Sequence, residues 1–174
     1  MSDSPEVANS GKAVVAPVGD KQIEVVREFD APRHLVFRAY TEPDLIKRWW
    51  AGRRGSVTVA EIDLRVGGGY RYAMSAKGPE GAFEVAFHGT FKEVVPNERI
   101  VHTEIYEGQP DEEALTTVTF EERDGRTVLR MLVEMGSTET RDLMAGQMEV
   151  GVQEGFDVLE EIARELGGRC TPLR

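Results

Sequence analysis

One long amphipathic helix near the end of the chain, residues 138–166, constrains the fold more than any other segment. Apolar residues recur every three or four positions along it and form a single stripe. Ser137 or Thr138 can cap its first turn, and Gly167 follows as a stop signal. At about 1.5 Å per residue the helix would be roughly 45 Å long, enough to cross a small domain. The stripe consists of Leu143, Met144, Met148, Val152, Phe156, Leu159, Ile162, Ala163 and Leu166.

Glycines interrupt this helix in an unusual way. Gly151 and Gly155 lie on or beside the apolar stripe, and Gly146 precedes them. Each glycine costs about 1 kcal/mol relative to alanine in a helix interior, so the sequence must gain something in return. Either a neighbouring element packs closely against the helix backbone, or the small residues and flexible methionines leave a hollow for a guest molecule.

The middle of the chain alternates with a period of two, which is typical of strands. Gln22–Phe29 is the first predicted strand, and helix-start signals at Asp30–Pro32 and Thr41–Asp44 then predict two short helices. Six further strands follow, joined by short turns that require antiparallel neighbours. These six predicted strands are 57–64, 69–76, 82–95, 99–107, 114–122 and 126–134.

This order of elements predicts an α+β fold in which a seven-stranded, curved antiparallel sheet wraps around the long C-terminal helix, with the two short helices between strands 1 and 2. We expect residues 1–20 to be a disordered leader, residues 21–167 to form one domain, and residues 168–174 to be a tail.

Composition excludes several classes of partner. The net charge is −10, and the long helix is rich in Asp and Glu, which argues against nucleic acid or an anionic membrane. No apolar run is long enough for a membrane span, and the N-terminus lacks the pattern of a signal peptide. Because the single cysteine, Cys170, excludes an intrachain disulfide, we expect a cytoplasmic protein.

Three stretches carry a resemblance to a known superfamily: F-D-A-P-x-x-x-V-F-R-A-Y-T-E-P at 29–43, D-L-R-V-G-G-G-Y-R-Y at 63–72 and H-G-T-F-K-E-V-V-P-N-E-R-I-V at 88–101. Together with Trp49-Trp50, they resemble the START-like (SRPBCC) superfamily, and more narrowly the stand-alone bacterial proteins related to the activator of heat shock protein 90 ATPase. The resemblance implies a helix-grip fold with a hydrophobic pocket. It implies no particular reaction. One departure is Gly155-Phe156, where the family often has Gly-Trp.

The sequence contains no recognisable catalytic or metal-binding constellation. There is no G-x-S-x-G motif, and no His, Cys, Asp and Glu cluster has ligand spacing. The glycines at 67–69 join two strands, so they lack the strand-to-helix context of a phosphate loop. Glu61 and Asp63 alternate on one strand, but one of them more simply anchors the glycine turn or Arg65. We therefore predict no catalytic residue, no metal and no cofactor.

The two histidines of adjacent strands are expected to lie on opposite faces of the sheet. If the turn at Pro96-Asn97 has two or four residues, even-numbered residues face odd-numbered ones, and His88 and His102 then point apart. A turn with an odd number of residues would reverse this conclusion.

Alternating apolar residues on several strands predict a pocket for a hydrophobic small molecule or lipid, with tyrosine hydroxyls and one histidine as polar anchors. The predicted lining residues are Trp50, Tyr70, Tyr72, Met74, Phe83, Phe87, His102, Met131, Met144, Met148 and Val152. Of the tryptophan pair, we expect one to belong to the core and the other to close the pocket.

Two further functions stay open at this stage. A chaperone partner module would bind the chaperone ATPase through its surface, where the acidic helix face offers a solvated contact area. An enzyme of the aromatase/cyclase kind would need an ionisable residue that points into the pocket, and His102 or His88 is the candidate. An exposed strand edge would allow a homodimer.

Overall fold

The computed structural model describes residues 11–53 and 55–168, and within them the chain forms eight strands and three helices. The predicted leader up to residue 10, and the tail from residue 169 with Cys170, lie outside the described residues. In chain order the elements are β1 (Val14–Val18), β2 (Gln22–Phe29), α1 (Arg33–Thr41), α2 (Pro43–Trp49), β3 (Gly55–Ile62), β4 (Gly69–Gly78), β5 (Gly81–Val95), β6 (Arg99–Tyr106), β7 (Glu113–Arg123), β8 (Arg126–Glu134) and α3 (Thr138–Leu166).

The strands form one open antiparallel sheet in the order β1-β2-β8-β7-β6-β5-β4-β3. The prediction of seven strands is corrected by β1, which lies in the segment expected to be a disordered leader. β1 pairs with β2 from Val14 opposite Val26 to Val18 opposite Gln22. Its Pro17 discouraged the assignment of a strand, but an edge strand tolerates proline because one side of it makes no ladder bonds.

Helix α3 has the predicted bounds, and its N-terminus is capped as expected. The Ser137 hydroxyl accepts a hydrogen bond from the Thr140 backbone N–H at 3.1 Å. The expected side-chain cap of α2 is absent from the structure, because the Thr41 hydroxyl donates to the Phe37 carbonyl within α1 at 2.7 Å. Pro43 in the first turn of α2 is consistent with its fixed φ.

The second half of α3 packs into the main core. Phe156, Leu159 and Ile162 are buried there, and Phe156 makes an edge contact with Phe29 of β2 at 5.6 Å between ring centroids. The helix also contacts α1, α2 and β1. Helix α3 is therefore held firmly along its second half, whereas its first half lies over the cavity described below.

Candidate functional site

A cavity of about 420 Å³ lies between the inner face of the sheet and helix α3. Its walls come from strands β3 to β8, and α1, α2 and α3 complete them. Most of the lining is aromatic, methionine or aliphatic side chain. All the predicted pocket residues except one contribute to it: Trp50, Tyr70, Tyr72, Met74, Phe87, His102, Met131, Met144, Met148 and Val152.

Phe83 is the exception, and its predicted place in the pocket is corrected. Phe83 pairs with Ala76 and Phe87 pairs with Tyr72 in one continuous register. The two phenylalanines are four residues apart on β5, so they lie on the same face of the sheet. However, Phe83 lies near the start of β5, packs beside Gly78 and is 47% exposed. Alternation along a strand determines which face a residue occupies, but it does not reveal how far the covering elements extend.

The two glycines of α3 that line the cavity, Gly151 and Gly155, have different neighbours, and each of the two explanations applies to one of them. A Cβ atom at Gly155 would lie 3.1 Å from the Trp49 carbonyl oxygen, so this glycine permits close packing of α2 against α3. Gly151 lines the cavity, and a Cβ atom there would meet nothing within 4 Å. Of these two, Gly151 is the one that leaves open space beside the helix.

The tryptophan pair divides between core and cavity. Trp49 is buried, its indole N–H donates to the Ala39 carbonyl at 2.8 Å, and its ring stacks on Tyr40 at 5.5 Å. Trp50 makes edge contacts with Tyr72 at 5.6 Å and with Phe87 at 5.8 Å. Trp50 thus joins the aromatic rings of β4 and β5 into one wall of the cavity.

His88 and His102 lie on opposite faces of the sheet, although the turn between their strands has an odd number of residues. Val95 pairs with Arg99, which leaves three residues in the turn. An extra residue in β5, between Phe91 and Glu93, shifts the register back, so that Phe91 pairs with His102 and His88 pairs with Ile105. The even turn on which the prediction depended is not observed, and the opposite faces result because the odd turn and the extra residue in β5 compensate for each other.

His102 is buried and lines the cavity. Its Nδ1 lies 2.8 Å from the Thr103 carbonyl, which can only accept, so Nδ1 carries the proton and donates. Burial lowers the pKa of His102 below the usual 6.5, while that hydrogen bond and the charge of Glu104 act in the opposite direction. The imidazole is therefore neutral at pH 7, with Nε2 as an acceptor.

Glu104 also lines the cavity, and the sequence analysis missed it. Its carboxylate accepts a hydrogen bond from the Thr116 hydroxyl at 3.2 Å across the β6–β7 pair. The signal was present in the sequence, because Glu104 follows His102 by two positions and so shares its face. A search for known motifs passes over a single carboxylate of this kind.

Three tyrosines, Tyr40, Tyr70 and Tyr72, lie close enough to Glu104 to be affected by its charge. Burial, assisted by the charge of Glu104, raises the pKa of Tyr70 and Tyr72 well above the usual 10, and burial also raises that of Tyr40. The phenols therefore stay protonated. The Tyr70 hydroxyl donates to the Thr103 carbonyl at 2.9 Å, whereas the Tyr40 and Tyr72 hydroxyls have no hydrogen-bond partner within the described part of the chain.

Outside the cavity, the opposite face of the sheet carries a cluster of charged residues. Glu107 accepts two hydrogen bonds from Arg71, at 2.8 and 3.0 Å, and lies 3.0 Å from His88 Nδ1. The hydrogen bonds from Arg71 and then His88 lower the pKa of Glu107 to about 2. All three side chains are partly exposed, so this cluster holds β4, β5 and the end of β6 together without enclosing a site.

The acidic side of α3 is more occupied than its sequence suggests. Buried Arg27 of β2 forms ion pairs with Asp157 and Glu160 at 2.8 and 2.9 Å. Glu161 and Glu165 pair with arginines that lie before β3, at 2.6 and 3.1 Å. These ion pairs bind α3 to the rest of the domain and reduce the free acidic surface that was expected.

The remaining polar features have structural explanations. Asp63 pairs with Arg65 at 2.9 Å and packs beside Gly68, as expected for an anchor of the glycine turn. Among the described residues, no group of three or more His, Cys, Asp or Glu side chains is placed to hold a metal ion. No helix of the described chain is long and apolar enough to cross a membrane.

The family model described as Activator of Hsp90 ATPase homolog 1-like protein matches residues 30–164. Similar structures are known from several bacteria. A protein from Rhodobacter sphaeroides is 27% identical with a TM-score of 0.79, and the match covers 89% of this chain and 99% of that one. A protein from Chromobacterium violaceum is 26% identical with a TM-score of 0.71, covering 82% and 97%.

A more distant match is an AHSA1-like protein from Aeromonas hydrophila, which is 23% identical with a TM-score of 0.60; the match covers 87% of this chain and 98% of that one. At this identity the likeness shows the fold alone. No curated protein matches the sequence.

Proposed function

The chain belongs to the family described as Activator of Hsp90 ATPase homolog 1-like protein, and we propose that it acts as a small-molecule-binding protein of helix-grip fold. The ligand, which is largely hydrophobic, lies between the sheet and the first half of α3. The proposal rests on one observation above all, the cavity that α3 covers.

The size and lining of the cavity support this proposal. A volume of about 420 Å³ falls within the range of roughly 300–1,000 Å³ that is typical of small-molecule sites. A well-packed domain of this size has few voids larger than a water molecule, so an unfilled space of this volume is not an ordinary packing defect. The aromatic and methionine walls suit an apolar ligand, and methionine side chains adapt to its shape.

Filling the cavity tests the proposal. Met148→Trp places a larger side chain from α3 in the cavity. Leu143→Trp introduces the same residue on the same helix, at a position that is 56% exposed, and serves as the control. We expect Met148→Trp to weaken the binding of an apolar fluorescent probe by tenfold or more and Leu143→Trp to leave it within about twofold. Circular dichroism and thermal melting establish that both variants fold. Unchanged probe binding by folded Met148→Trp would contradict the proposal.

Native mass spectrometry of the freshly purified protein, repeated under denaturing conditions, gives a second and independent measurement. A mass excess present only in the native spectrum would identify a bound guest and give its mass. The same excess should decrease in Met148→Trp.

A second candidate function is an enzyme of the aromatase/cyclase kind. One observation favours it: His102 and Glu104 place a neutral imidazole and a carboxylate inside the cavity, where either can accept a proton. Chromatography of the guest released after incubation separates the two functions, because a binding protein returns its guest unchanged and an enzyme converts it.

The chaperone-partner hypothesis has less support in the structure. The acidic face of α3 would be the contact surface, but several of its carboxylates already pair with arginines of the same chain. A surface partner would also leave the cavity without a role.

A further inference from the structure

The carboxylate of Glu104 lines the cavity without a basic partner in the described part of the chain. Within those residues, its one hydrogen bond comes from the Thr116 hydroxyl, at 3.2 Å. Neither the lysines nor the arginines of the described chain lie within ion-pair distance of Glu104. An ionised carboxylate accepts about four hydrogen bonds, so most of its capacity is unused.

Among the described residues, the lining of the cavity includes the carboxylate of Glu104 and no lysine or arginine. Among the described lining residues, His102 carries the only titratable nitrogen, and burial keeps its imidazole neutral at pH 7. An anionic ligand such as a fatty acid would thus meet repulsion without a compensating cation.

Aromatic faces surround the same end of the cavity. Tyr70 and Tyr72 lie 5.0 Å apart between centroids, and Trp50 contacts Tyr72 at 5.6 Å. The first pair is tilted and the second is an edge contact. The face of an aromatic ring carries negative π density, which attracts an organic cation by about 0.5–2 kcal/mol. Rings together with an unbalanced carboxylate form the combination that binds ammonium groups.

We propose that the ligand is an amphipathic amine: an apolar, ring-sized body fills the aromatic and methionine part of the cavity, and its protonated nitrogen binds the carboxylate of Glu104. This inference rests on the proposed function, and it narrows the ligand from any hydrophobic molecule to a cationic one. The nitrogen donates to Glu104, and the unpaired Tyr72 and Tyr40 hydroxyls lie nearby to accept or donate.

The overall charge of the protein acts in the same direction. A net charge of −10 raises the local concentration of cations near the entrance and repels anions. Increasing ionic strength should therefore slow the association of an amine ligand more than that of a neutral one.

Three probes with one shared apolar body test the inference: 2-(1-naphthyl)ethylamine, 2-(1-naphthyl)ethanol and 1-naphthaleneacetic acid. Isothermal titration calorimetry at pH 7 measures the affinity of each for the full chain and for Glu104→Gln, which keeps the size and removes the charge. Glu80→Gln is the matched control, because it makes the same charge change in the exposed turn between β4 and β5.

The amine should bind the wild-type protein at least tenfold more tightly than the alcohol, and the acid should bind most weakly. Glu104→Gln should weaken amine binding by about ten- to a hundredfold, the usual worth of a hydrogen bond to a charged group, and should leave alcohol binding within about threefold. Glu80→Gln should change none of the three affinities by more than about twofold. The thermal stability of unliganded Glu104→Gln should be unchanged or higher, because a half-buried carboxylate without a basic partner among the described residues is removed.

Equal binding of amine and alcohol, or preference for the acid, would overturn the inference while leaving the hydrophobic cavity of the proposed function intact. An amine preference that survives in Glu104→Gln would overturn the role of Glu104 in the same way. If none of the three probes binds and the apolar fluorescent probe also fails to bind, the proposed function falls and the inference falls with it.

Discussion

Replacing each cavity-side glycine of α3 by alanine separates close packing from open space, because the two sites differ in what the new methyl group meets. In a helix interior, alanine is favoured over glycine by about 1 kcal/mol at both positions. At Gly151 a Cβ atom would have no neighbour within 4 Å. We therefore expect Gly151→Ala to stabilise the domain by roughly 0.5–1 kcal/mol.

At Gly155 the added methyl group would be crowded by Trp49. Its Cβ would lie 3.1 Å from the Trp49 carbonyl oxygen and 3.5 Å from the Trp49 ring. Trp49 cannot easily retreat, since its indole N–H is bonded to Ala39 at 2.8 Å and its ring stacks on Tyr40. Overpacking of this kind typically costs about 1–3 kcal/mol, which offsets or exceeds the gain in helix propensity. We expect Gly155→Ala to destabilise the domain by about 0–2 kcal/mol.

Equilibrium unfolding in urea measures the difference in stability between the two variants, which should be about 0.5–3 kcal/mol at an unchanged m-value. Two outcomes would refute the reasoning. If both alanines stabilise the protein equally, Gly155 is not required for the packing of α2 on α3. If Gly151→Ala destabilises, the space beside that residue is not open.

Two further predictions concern pH. The hydrogen bonds from Arg71 and His88 lower the pKa of Glu107 to about 2, so its stabilising contribution is present above about pH 4.5 and is lost as the pH falls through 2. Urea titrations should show Glu107→Gln destabilising by at most about 1 kcal/mol at pH 7 and by progressively less as the pH falls towards 2; a constant loss would contradict this. Burial lowers the pKa of His102, so below about pH 6.5 the unfolded chain binds a proton that the folded protein does not. The free energy of unfolding therefore decreases as the pH is lowered below 6.5, by up to about 1.4 kcal/mol per pH unit. His102→Gln should flatten that slope and exposed His34→Gln should not; equal slopes in both would contradict the prediction.

The walls of the cavity could be predicted from the sequence because each strand alternates cleanly. Tyr70, Tyr72 and Met74 occupy one face of β4, and the antiparallel register places Phe87 opposite Tyr72. Alternation depends only on neighbouring residues of one strand, so it predicts the face of each residue even where other parts of the predicted fold are wrong. It failed at Phe83, where the covering elements rather than the strand determine exposure.

The first strand could not be predicted because its stability is not local. β1 is short, contains Pro17 and has little apolar alternation, so it depends on pairing with β2 and on contact with α3. Gln153 of α3 accepts a hydrogen bond from the Ala13 backbone N–H at 2.8 Å and donates to the Gly11 carbonyl at 2.7 Å. Bonds between residues so distant along the chain leave no pattern in a sequence window.

The opposite arrangement of the histidines depends on two irregularities, an odd turn and an extra residue in β5, that the sequence did not reveal. The premise was an even turn, but the turn has three residues, and one extra residue in β5 restores the register before His88 is reached. The cavity depends on this correction. Without it, alternation from Val94 along β5 would turn Phe91 and Phe87 to the outer face of the sheet and bring His88 under α3, because β6 keeps a regular register with β7.

Helix α3 has two roles: its second half packs into the core and its first half covers the cavity. The apolar stripe runs through both halves, so the sequence alone does not separate them. After Gly155 the stripe meets a filled core, where Phe156 packs on Phe29 at 5.6 Å and on Trp49 at 5.9 Å. Before Gly155 the same stripe presents Met144 and Met148 to open space. Because the buried second half fixes the helix, the first half can cover the cavity without itself being tightly packed. A bulky residue at position 148 should for this reason fill the cavity and leave the fold standing.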